Sequence, residues 1–485
     1  MSEESSPLGR LLSPDSVAIV GASSNPVSAG YQFTRFLIDH GFRGKLYPVN
    51  PKLTDLLGLR VYPGLTAIPG PNVNYVISCI RADGVLSLLD DCGRKNVGLV
   101  HLFTARLKET GREEATRLQG KIQEKAKKLG IRILGPNCMG TYNPKVGLSF
   151  NHDLPTESGP VGGFFQSGGG AGEFVRYAGL RGVRFSKVVS YGNASDIDET
   201  ELLDYFASDS ETRVIASYIE GVKDGRKFLE ALARAAKKKP VTILKAGRGR
   251  TATKLALSHT ASLTGSDKVW HAALRQCGAV VVSNFEELTD QVVAFTFLPP
   301  MMERRVIVAG GGGGKSMVAA DTWEEEGFDL PELSAQLREN VRRHDPEIWD
   351  WVTNPIDASL FQGTTLTYVD LLKWISDEDR FDVFAANLTQ DDPLPADIWE
   401  KLLAPNFLQG AVAVRSKGRP VVCIIETGEI GPAEMGRWKW KAIAETRREL
   451  VNQGVAVFPT SERAARATRR LVDYWTRRGN EDQSL

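Results

Sequence analysis

The sequence predicts an α/β fold in which mostly parallel sheets carry helices on both faces. Apolar, β-branched runs alternate with helical patterns along the whole chain, which is typical of wound parallel sheets. Gly-rich turns follow several of these runs, as strand-to-helix connections require. With 485 residues, 42% of them hydrophobic, the chain is long enough for three domains at roughly 100–200 residues each.

The first unit has the pattern of a Rossmann-like domain of about 140 residues. Short β-branched runs provide its strands, and Gly21 opens the turn that follows the first of them. The predicted elements are strands at 16–20, 45–49, 75–79, 98–102 and 132–134, a helix at 30–40, and a closing turn at 135–137.

A nicotinamide cofactor is disfavoured for this unit. The turn at 21–24, Gly-Ala-Ser-Ser, lacks the second glycine of GxGxxG, which lets the backbone approach a pyrophosphate. Asn50 and Pro51 stand at the end of the second strand, where an acidic residue would bind the adenosine ribose. The backbone amides of the turn can still cradle another phosphate-bearing ligand.

The second unit contains two features that predict chemistry. A strand at 162–165 runs into a Gly-rich turn at 166–172 and then a helix at 173–179. The amides of such a turn form an anion site, and the alternative is a purely structural strand-to-helix turn. A later strand at 214–219 ends in Glu220 and Gly221, and another at 240–245 leads to the segment Leu-Ser-His-Thr-Ala-Ser-Leu-Thr-Gly-Ser-Asp at 257–267.

His259, within that segment, is the strongest candidate for a reactive side chain. It stands among small and hydroxyl residues beyond the end of a strand, where open α/β sheets place their chemistry. A carboxylate such as Glu220 can fix its tautomer and leave the other ring nitrogen as a nucleophile. The remaining histidines have no partner spacing and are interpreted as structural: His40, His101, His152, His271 and His344.

The third unit is a degenerate echo of the second. The strand at 306–309 enters the glycines at 310–314, and residues 453–463 mirror residues 277–287. After the strand at 421–425, however, no histidine follows. We therefore expect chemistry in the second unit and scaffold in the third.

A relaxed Walker A pattern lies at 309–316, Ala-Gly-Gly-Gly-Gly-Gly-Lys-Ser, between a strand and a helix. A P-loop would use Lys315 and Ser316 for phosphate and magnesium. Against this, Ala309 replaces the leading glycine, and the strand at 381–385 has no aspartate at its carboxyl end. A P-loop kinase is thus the less favoured alternative.

Composition excludes several other classes. The net charge of +1 indicates no nucleic-acid partner. The first residues lack the basic start and apolar core of a signal peptide, and no apolar run approaches the roughly 20 residues of a membrane span, so we expect a cytoplasmic protein without membrane contact. The cysteines have no CxxC spacing, which argues against disulfides and a zinc cluster: Cys79, Cys92, Cys138, Cys277 and Cys423.

Taken together, seven short motifs resemble those of the NDP-forming acyl-CoA synthetases, relatives of succinyl-CoA synthetase. They are spread over nearly the whole chain, at 17–23, 47–51, 135–138, 166–168, 218–221, 244–248 and 258–260. The resemblance implies a Rossmann-like CoA-binding domain followed by two flavodoxin-like, doubly wound parallel-sheet domains, with bounds at 8–145, 146–298 and 303–478. It also implies reversible conversion of an acid, CoA and a nucleoside triphosphate into an acyl-CoA, a nucleoside diphosphate and phosphate.

The same resemblance assigns roles to residues of this sequence. His259 would carry the phosphoryl group, Glu220 would orient it, and the amides of Ser167, Gly168 and Gly169 would hold the phosphate. No metal ligand is assigned to this chain. CoA would be held by Gly21, Ala22, Ser23, Ser24, Val49, Asn50, Pro51, Lys52 and Asn137.

Departures from the family pattern and a missing domain complete the prediction. Ser28 lies where relatives carry a cation, Arg81 lies in the stretch that replaces a Val-Pro-Ala sequence, and residues 102–105 replace a glycine-containing turn. No ATP-grasp domain follows the third unit, so the nucleotide (ATP/ADP or GTP/GDP) and Mg²⁺ are expected on a separate β-type subunit in an α2β2 assembly. A catalytically silent CoA-binding or regulatory protein of the same fold is the second alternative.

Overall fold

The computed structural model describes residues 7–249, 266–361, 364–388, 395–426 and 436–483. The chain divides into two compact units, Met1–Leu288 and Thr289–Leu485. The first unit contains two large sheets and a small hairpin, and the second contains one sheet. The predicted α/β class is confirmed, whereas the three domain bounds stay a prediction.

The first sheet has five parallel strands in the order β2-β1-β5-β6-β7. Its inner strands are apolar without alternation because helices cover both faces, and Val17, Ala18 and Ile19 are fully buried. The strands, with the hairpin β3-β4, are β1 Ser16–Val20, β2 Lys45–Val49, β3 Asp55–Leu56, β4 Leu59–Arg60, β5 Tyr75–Ser78, β6 Leu99–Leu102 and β7 Arg132–Leu134.

The second sheet has six strands in the order β13-β12-β11-β9-β10-β8. Five are parallel, and the edge strand β8 is antiparallel to β10, a pairing that the sequence pattern did not predict. The strands are β8 Gly140–Tyr142, β9 Ser158–Phe165, β10 Phe185–Ser190, β11 Val214–Ile219, β12 Val241–Lys245 and β13 Val280–Val282.

Both sheets share one strand order, which positions their functional crevices. Numbered along the chain, the five parallel strands of each sheet lie in the order 2-1-3-4-5. In this arrangement the connections leave strands 1 and 3 in opposite directions, so a crevice opens beyond their carboxyl ends. The crevices therefore lie after β1 and β5 in the first sheet and after β9 and β11 in the second.

The sheet of the second compact unit has four parallel strands in the order β14-β15-β16-β17. Ile356 extends it on the other side of β14, because its amide donates to Val308 at 2.8 Å and its carbonyl accepts from Gly310 at 3.1 Å. The strands are β14 Val306–Gly310, β15 Val383–Leu388, β16 Val421–Ile425 and β17 Ala456–Phe458.

Helices connect and cover the strands, as the alternating pattern predicts. In the first two sheets they are α1 Pro7–Leu11, α2 Ala29–Asp39, α3 Val85–Arg94, α4 Glu113–Leu129, α5 Gly168–Leu180, α6 Glu199–Ser208, α7 Gly225–Ala236, α8 Asp267–Gln276 and α9 Phe285–Phe297. Around the third sheet they are α10 Gly313–Glu325, α11 Ala335–His344, α12 Tyr368–Ser376, α13 Ala396–Ile398, α14 Ala404–Ser416, α15 Trp438–Asn452 and α16 Ser461–Gln483. Among the described residues, no helix combines the length and apolar composition needed to cross a bilayer.

Two predicted boundaries in the second sheet were wrong. The strand predicted at 162–165 begins at Ser158 as β9, and the helix predicted to begin at 173 after a turn begins at Gly168 as α5. Ser167 caps this helix, since its hydroxyl accepts from the Gly170 amide at 3.1 Å. A capping serine offsets the poor helix propensity of glycine, which the composition alone did not indicate.

Gly30 allows helix α2 to pack closely on the turn after β1. A Cβ atom at this position would overlap the carbonyl group of Gly21. Gly21 itself has φ of +95° and lies against the backbone of Cys79, across the crevice between β1 and β5. The pair therefore fixes the turn at the first crevice, a role that glycine fills because it has no side chain.

We expect Gly30→Ala to lower the free energy of unfolding by about 1–3 kcal/mol or more, because the added methyl group has no space. Gly120→Ala in α4 is the matched control, since no atom lies within 4 Å of its added Cβ. This control should raise stability by about 0.5–1 kcal/mol through helix propensity. Urea unfolding of both variants checks the prediction, and equal effects would contradict it.

Candidate active site

A cavity of about 900 Å³ lies in the first compact unit at the carboxyl ends of strands from both sheets. The first sheet contributes the loops after β5, β6 and β7, and the second contributes the segments after β9, β10 and β11. The cavity therefore lies at the carboxyl edges of the strands, which is where parallel sheets bind their ligands. The predicted site residues on its wall are Asn137, Ser167, Gly168, Gly169 and Glu220.

Two turns packed against each other hold the cavity walls together. Asn137, with φ of +58°, lies in the turn after β7, and Gly192 approaches it so closely that a Cβ atom would meet the Pro136 and Asn137 carbonyls. The amide of Asn193 donates to Pro136 at 3.0 Å, and that of Ser195 donates to Gly135 at 2.9 Å. The first and second sheets are therefore joined by backbone hydrogen bonds directly beside the site.

The start of α5 lies on the cavity wall. The hydroxyl oxygen of Ser167 accepts a hydrogen bond from the Gly170 amide. Gly168 and Gly169 lie in the first turn of the helix, where backbone amides have no partner within the helix. Gly168 is packed against Met139, whereas a Cβ on Gly169 would meet no atom within 4 Å. Amides and helix dipole together favour a phosphate at this position.

Glu220 follows the last residue of β11 and lines the same cavity as this helix start. Gln166, which is only 6% exposed, accepts hydrogen bonds from the amides of Glu220 and Gly221 through its Oε1 atom, the latter at 3.1 Å. The hydroxyl of Tyr218 donates to the Glu220 carboxylate at 3.3 Å, and its ring stacks on Phe285. The carboxylate and its backbone are therefore held by neighbours on β9 and β11.

Lys245 holds the same residue from the other side. This side chain, 2% exposed at the end of β12, donates from Nζ to the Glu220 carbonyl at 2.7 Å and to the Ala246 carbonyl. Its Nζ atom also lies 5.2 Å from the centre of the Trp270 ring. Burial lowers the pKa of Lys245 to about 8, with Asp267 and Glu220 acting in the opposite direction. A charged group kept in so enclosed a place restrains the main chain at Glu220 strongly.

The predicted CoA residues other than Asn137 form a separate cluster. The turn at 21–24 and the stretch at 49–52 contact each other, because Gly21 and Ala22 donate to the Val49 carbonyl at 3.2 Å. Asn50 donates from Nδ2 to Ala22 at 2.6 Å and accepts from the Lys52 amide at 2.7 Å. Asn50 thus joins the two loops through its side chain. The cluster adjoins the cavity where Gly21 meets Cys79.

His259 lies outside the described residues. The last described residue before it is Gly249, beyond β12, and helix α8 begins after it at Asp267. Of the other histidines, His101 is buried, contacts the Cys138 carbonyl at 3.0 Å through Nε2, and has its pKa lowered to about 4 by burial. That environment fits the structural role predicted for it.

The P-loop hypothesis does not agree with the third sheet. Ser316 is 3% exposed and donates from its hydroxyl to the Gly310 carbonyl at 3.2 Å, so it is not positioned as a magnesium ligand. Lys315 Nζ lies 3.6 Å from the Glu426 carboxylate. Serine and lysine are both engaged within the protein, unlike the groups of a phosphate-binding P-loop.

Two family profiles match the part of the chain that forms the cavity. A CoA binding domain matches residues 15–144, and a succinyl-CoA ligase like flavodoxin domain matches residues 158–295. These two matches place the chain among the acid–CoA ligases related to succinyl-CoA synthetase.

Relatives specify the family further. The acetate–CoA ligase [ADP-forming] I subunit alpha of Pyrococcus furiosus is 37% identical over 73% of this chain and 76% of its own length. The II subunit alpha of the same organism is 32% identical over 96% and 97%. A structure of the Ca. Korarchaeum cryptofilum dinucleotide forming acetyl-coenzyme A synthetase 1 with phosphate and ADP has a TM-score of 0.81 at 30% identity, covering 99% of both chains. The chain belongs to the NDP-forming acyl-CoA synthetases, ligases that form a carbon–sulfur bond.

The sequence did not predict the individual roles of Gln166 and Lys245 at the site. Both fall inside motifs that carried the family resemblance, but neither has a type that signals catalysis. Their importance comes from hydrogen bonds to the main chain of Glu220, which lies 54 and 25 positions away along the chain. Only the tertiary structure reveals such contacts.

We expect Lys245→Met to lower kcat roughly tenfold with little change in KM, because the carboxylate of Glu220 loses its fixed position. Lys239→Met is the matched control: Lys239 Nζ also donates to two carbonyls, those of Phe206 and Asp209, near the opposite end of β12. Steady-state kinetics of both variants test the role. A control that lowers kcat equally would mean that Lys245 acts through stability alone.

The lowered pKa of Lys245 predicts a pH dependence of stability. An unfolded lysine titrates near 10.4, so between about 8 and that value the unfolded chain binds more protons than the native one. The contribution of Lys245 to stability therefore rises with pH across this window, and its burial penalty is fully present below about 8. In urea unfolding, the free energy of unfolding of wild type relative to that of Lys245→Met should be higher at pH 9.5 than at pH 7.5. A constant difference would contradict the assigned pKa.

Proposed function

We propose that this chain is an α-type subunit that joins a carboxylic acid to CoA through an acyl phosphate and phospho-His259. The observation that carries the proposal is that Glu220 and the capped, Gly-rich start of α5 line one cavity. A carboxylate can orient an imidazole, and the amides at a helix start can stabilise a phosphate dianion. Glu220 and the start of α5 therefore suit a phosphorylated histidine and the acid that accepts its phosphoryl group.

The proposed steps balance as three displacements. The γ-phosphoryl group of a nucleoside triphosphate passes to a ring nitrogen of His259, and the nucleoside diphosphate leaves. The substrate carboxylate then attacks that phosphorus and breaks the N–P bond, which gives an acyl phosphate and neutral His259. Finally the CoA thiolate attacks the acyl carbon and phosphate departs. The amides of Gly168 and Gly169 would hold the phosphate during the last two steps.

Glu220 would act on His259 through charge and orientation. Its main chain is fixed by Gln166 and Lys245, so the carboxylate has a defined position from which to accept a ring N–H. That contact leaves the other ring nitrogen unprotonated and therefore nucleophilic near neutral pH.

The partner and cofactor assignments belong to the same proposal. CoA would be held at the 21–24 and 49–52 cluster and at Asn137, while the nucleotide and Mg²⁺ would be held by an ATP-grasp β subunit. The relatives from P. furiosus are named as alpha subunits, which supports a multi-subunit enzyme. The chain spans 63% of a longer Archaeoglobus fulgidus acetate–CoA ligase. An α2β2 assembly in the cytoplasm, with domains at 8–145, 146–298 and 303–478, completes the proposal.

Incubation of the chain and its candidate partner with γ-labelled ATP and Mg²⁺ should give an acid-labile phosphoprotein. We expect His259→Ala to abolish the label and Glu220→Gln to slow its appearance roughly 10²-fold or more, because the tautomer is no longer fixed. Lys315→Ala should label like wild type. Undiminished label in His259→Ala would refute the assignment.

The catalytically silent alternative makes a different prediction. A silent protein would bind CoA but form no acyl hydroxamate from any acid, even with the partner and ATP present. Acid-dependent hydroxamate formation that requires His259 excludes it. Loss of activity in Lys315→Ala together with activity in His259→Ala would instead favour the P-loop kinase.

A further inference from the structure

The cavity wall also carries three arginines, which come from loops of the first sheet. Arg106 and Arg112 line the cavity from the loop between β6 and α4, and Arg81 lines it from the loop after β5. All three arginines lie in loops that follow strands of the first sheet, whereas the start of α5 and Glu220 follow strands of the second sheet. The cavity thus presents two separate regions that attract anions.

The backbone at Arg106 is held in a conformation that favours glycine. Its φ is +68°, in the left-handed region that residues other than glycine rarely adopt. Glu109 stabilises this turn, because its Oε1 atom accepts from the Arg106 and Leu107 amides. Its Oε2 atom accepts from Asn193 Nδ2 at 2.6 Å. A side chain kept at a strained position on a cavity wall points to a function.

The charges of this region are not balanced by ion pairs. Among the described residues, neither Arg106 nor Arg112 has a carboxylate within salt-bridge distance, and the carboxylate of Glu109 is already bonded to amides. Arg81 lies 3.5 Å from Asp83, with both side chains largely exposed. Glu114 is the other carboxylate on this part of the wall. Two guanidinium groups therefore remain for a ligand, and their planar donors match an oxyanion.

We propose that Arg106 and Arg112, assisted by Arg81, form a second oxyanion subsite, which binds a carboxylate or phosphate that a substrate carries away from its reacting group. Two sources fit this chemistry: the second carboxylate of a dicarboxylic acid, or a phosphate of CoA. The inference rests on the proposed function, because it assumes that the reacting carboxyl group lies at Glu220 and the α5 start.

The test uses Arg106→Gly, Arg106→Lys and Arg112→Gln, with Arg117→Gln as the matched control. Arg117 is an exposed arginine of α4 that pairs with Glu113 and does not line the cavity. Acyl-CoA formation with the partner present is compared for succinate and butyrate, which differ by one carboxylate. Binding to the chain alone is compared for CoA and pantetheine, which lacks phosphates.

The expected result is a selective loss. Arg106→Gly and Arg112→Gln should weaken either kcat/KM for succinate or affinity for CoA by roughly 10–100-fold, while butyrate or pantetheine changes less than about twofold. A loss of kcat/KM for succinate but not for butyrate means that the subsite binds the second carboxylate of the acid. A loss of affinity for CoA but not for pantetheine means that it binds a phosphate of CoA. Arg106→Lys should retain part of the effect.

Stability separates binding from a structural role. Because glycine fits a φ of +68°, Arg106→Gly should keep or raise Tm while it loses the selective interaction. The subsite would be overturned if the variants changed kcat/KM equally for succinate and butyrate and affinity equally for CoA and pantetheine, or if they changed neither quantity. His259 phosphorylation is measured in parallel: its absence in wild type would refute the proposed function, whereas the comparison of CoA with pantetheine still tests the arginines.

Discussion

The candidate active-site cavity depends on one contact between two turns. The turn after β7 and the turn after β10 approach each other so closely that Gly192 has no space for a side chain, and two backbone hydrogen bonds join them. Because each turn extends from a strand of a different sheet, this contact brings the carboxyl edges of both sheets to one cavity. The helix start at Gly168 and the loops after β5 and β6 take their positions relative to it. A switch-point crevice in one sheet thereby becomes one wall of a shared site.

Much of this arrangement could be predicted from the sequence, and the unpredicted parts have physical reasons. Strand runs and glycine turns are local signals, so they indicated the α/β class and Glu220 at a strand end, and they also suggested the anion site that is proposed after Gln166. The antiparallel edge strand β8 did not, because three residues carry too little pattern. Contacts between distant residues also left no trace: Lys245 reads as the end of a buried strand, and Arg106 as an ordinary loop residue. The family resemblance supplied the role of His259, which no described contact tests.

The two echoing sheets show how one framework serves different purposes. In the second sheet, the end of β12 carries a buried lysine that restrains Glu220, and the helix start opens to the cavity. In the third sheet, a helix start of similar composition also lies beside a cavity, but Lys315 lies near Glu426 and Ser316 is bonded to Gly310. The polar groups at this helix start therefore contact other groups of the protein. The difference lies in a few polar groups at strand ends, not in the order of strands.

The connection between the first two sheets is short and lies beside the cavity. Strand β7 ends at Leu134 and β8 begins at Gly140, so the chain crosses from one sheet to the other in five residues, of which Asn137, Cys138 and Met139 line the cavity. The same segment accepts the backbone hydrogen bonds that Asn193 and Ser195 donate from the second sheet. One short segment is therefore both the covalent and the hydrogen-bonded link between the two sheets, so an insertion there would change the cavity together with the packing of the sheets.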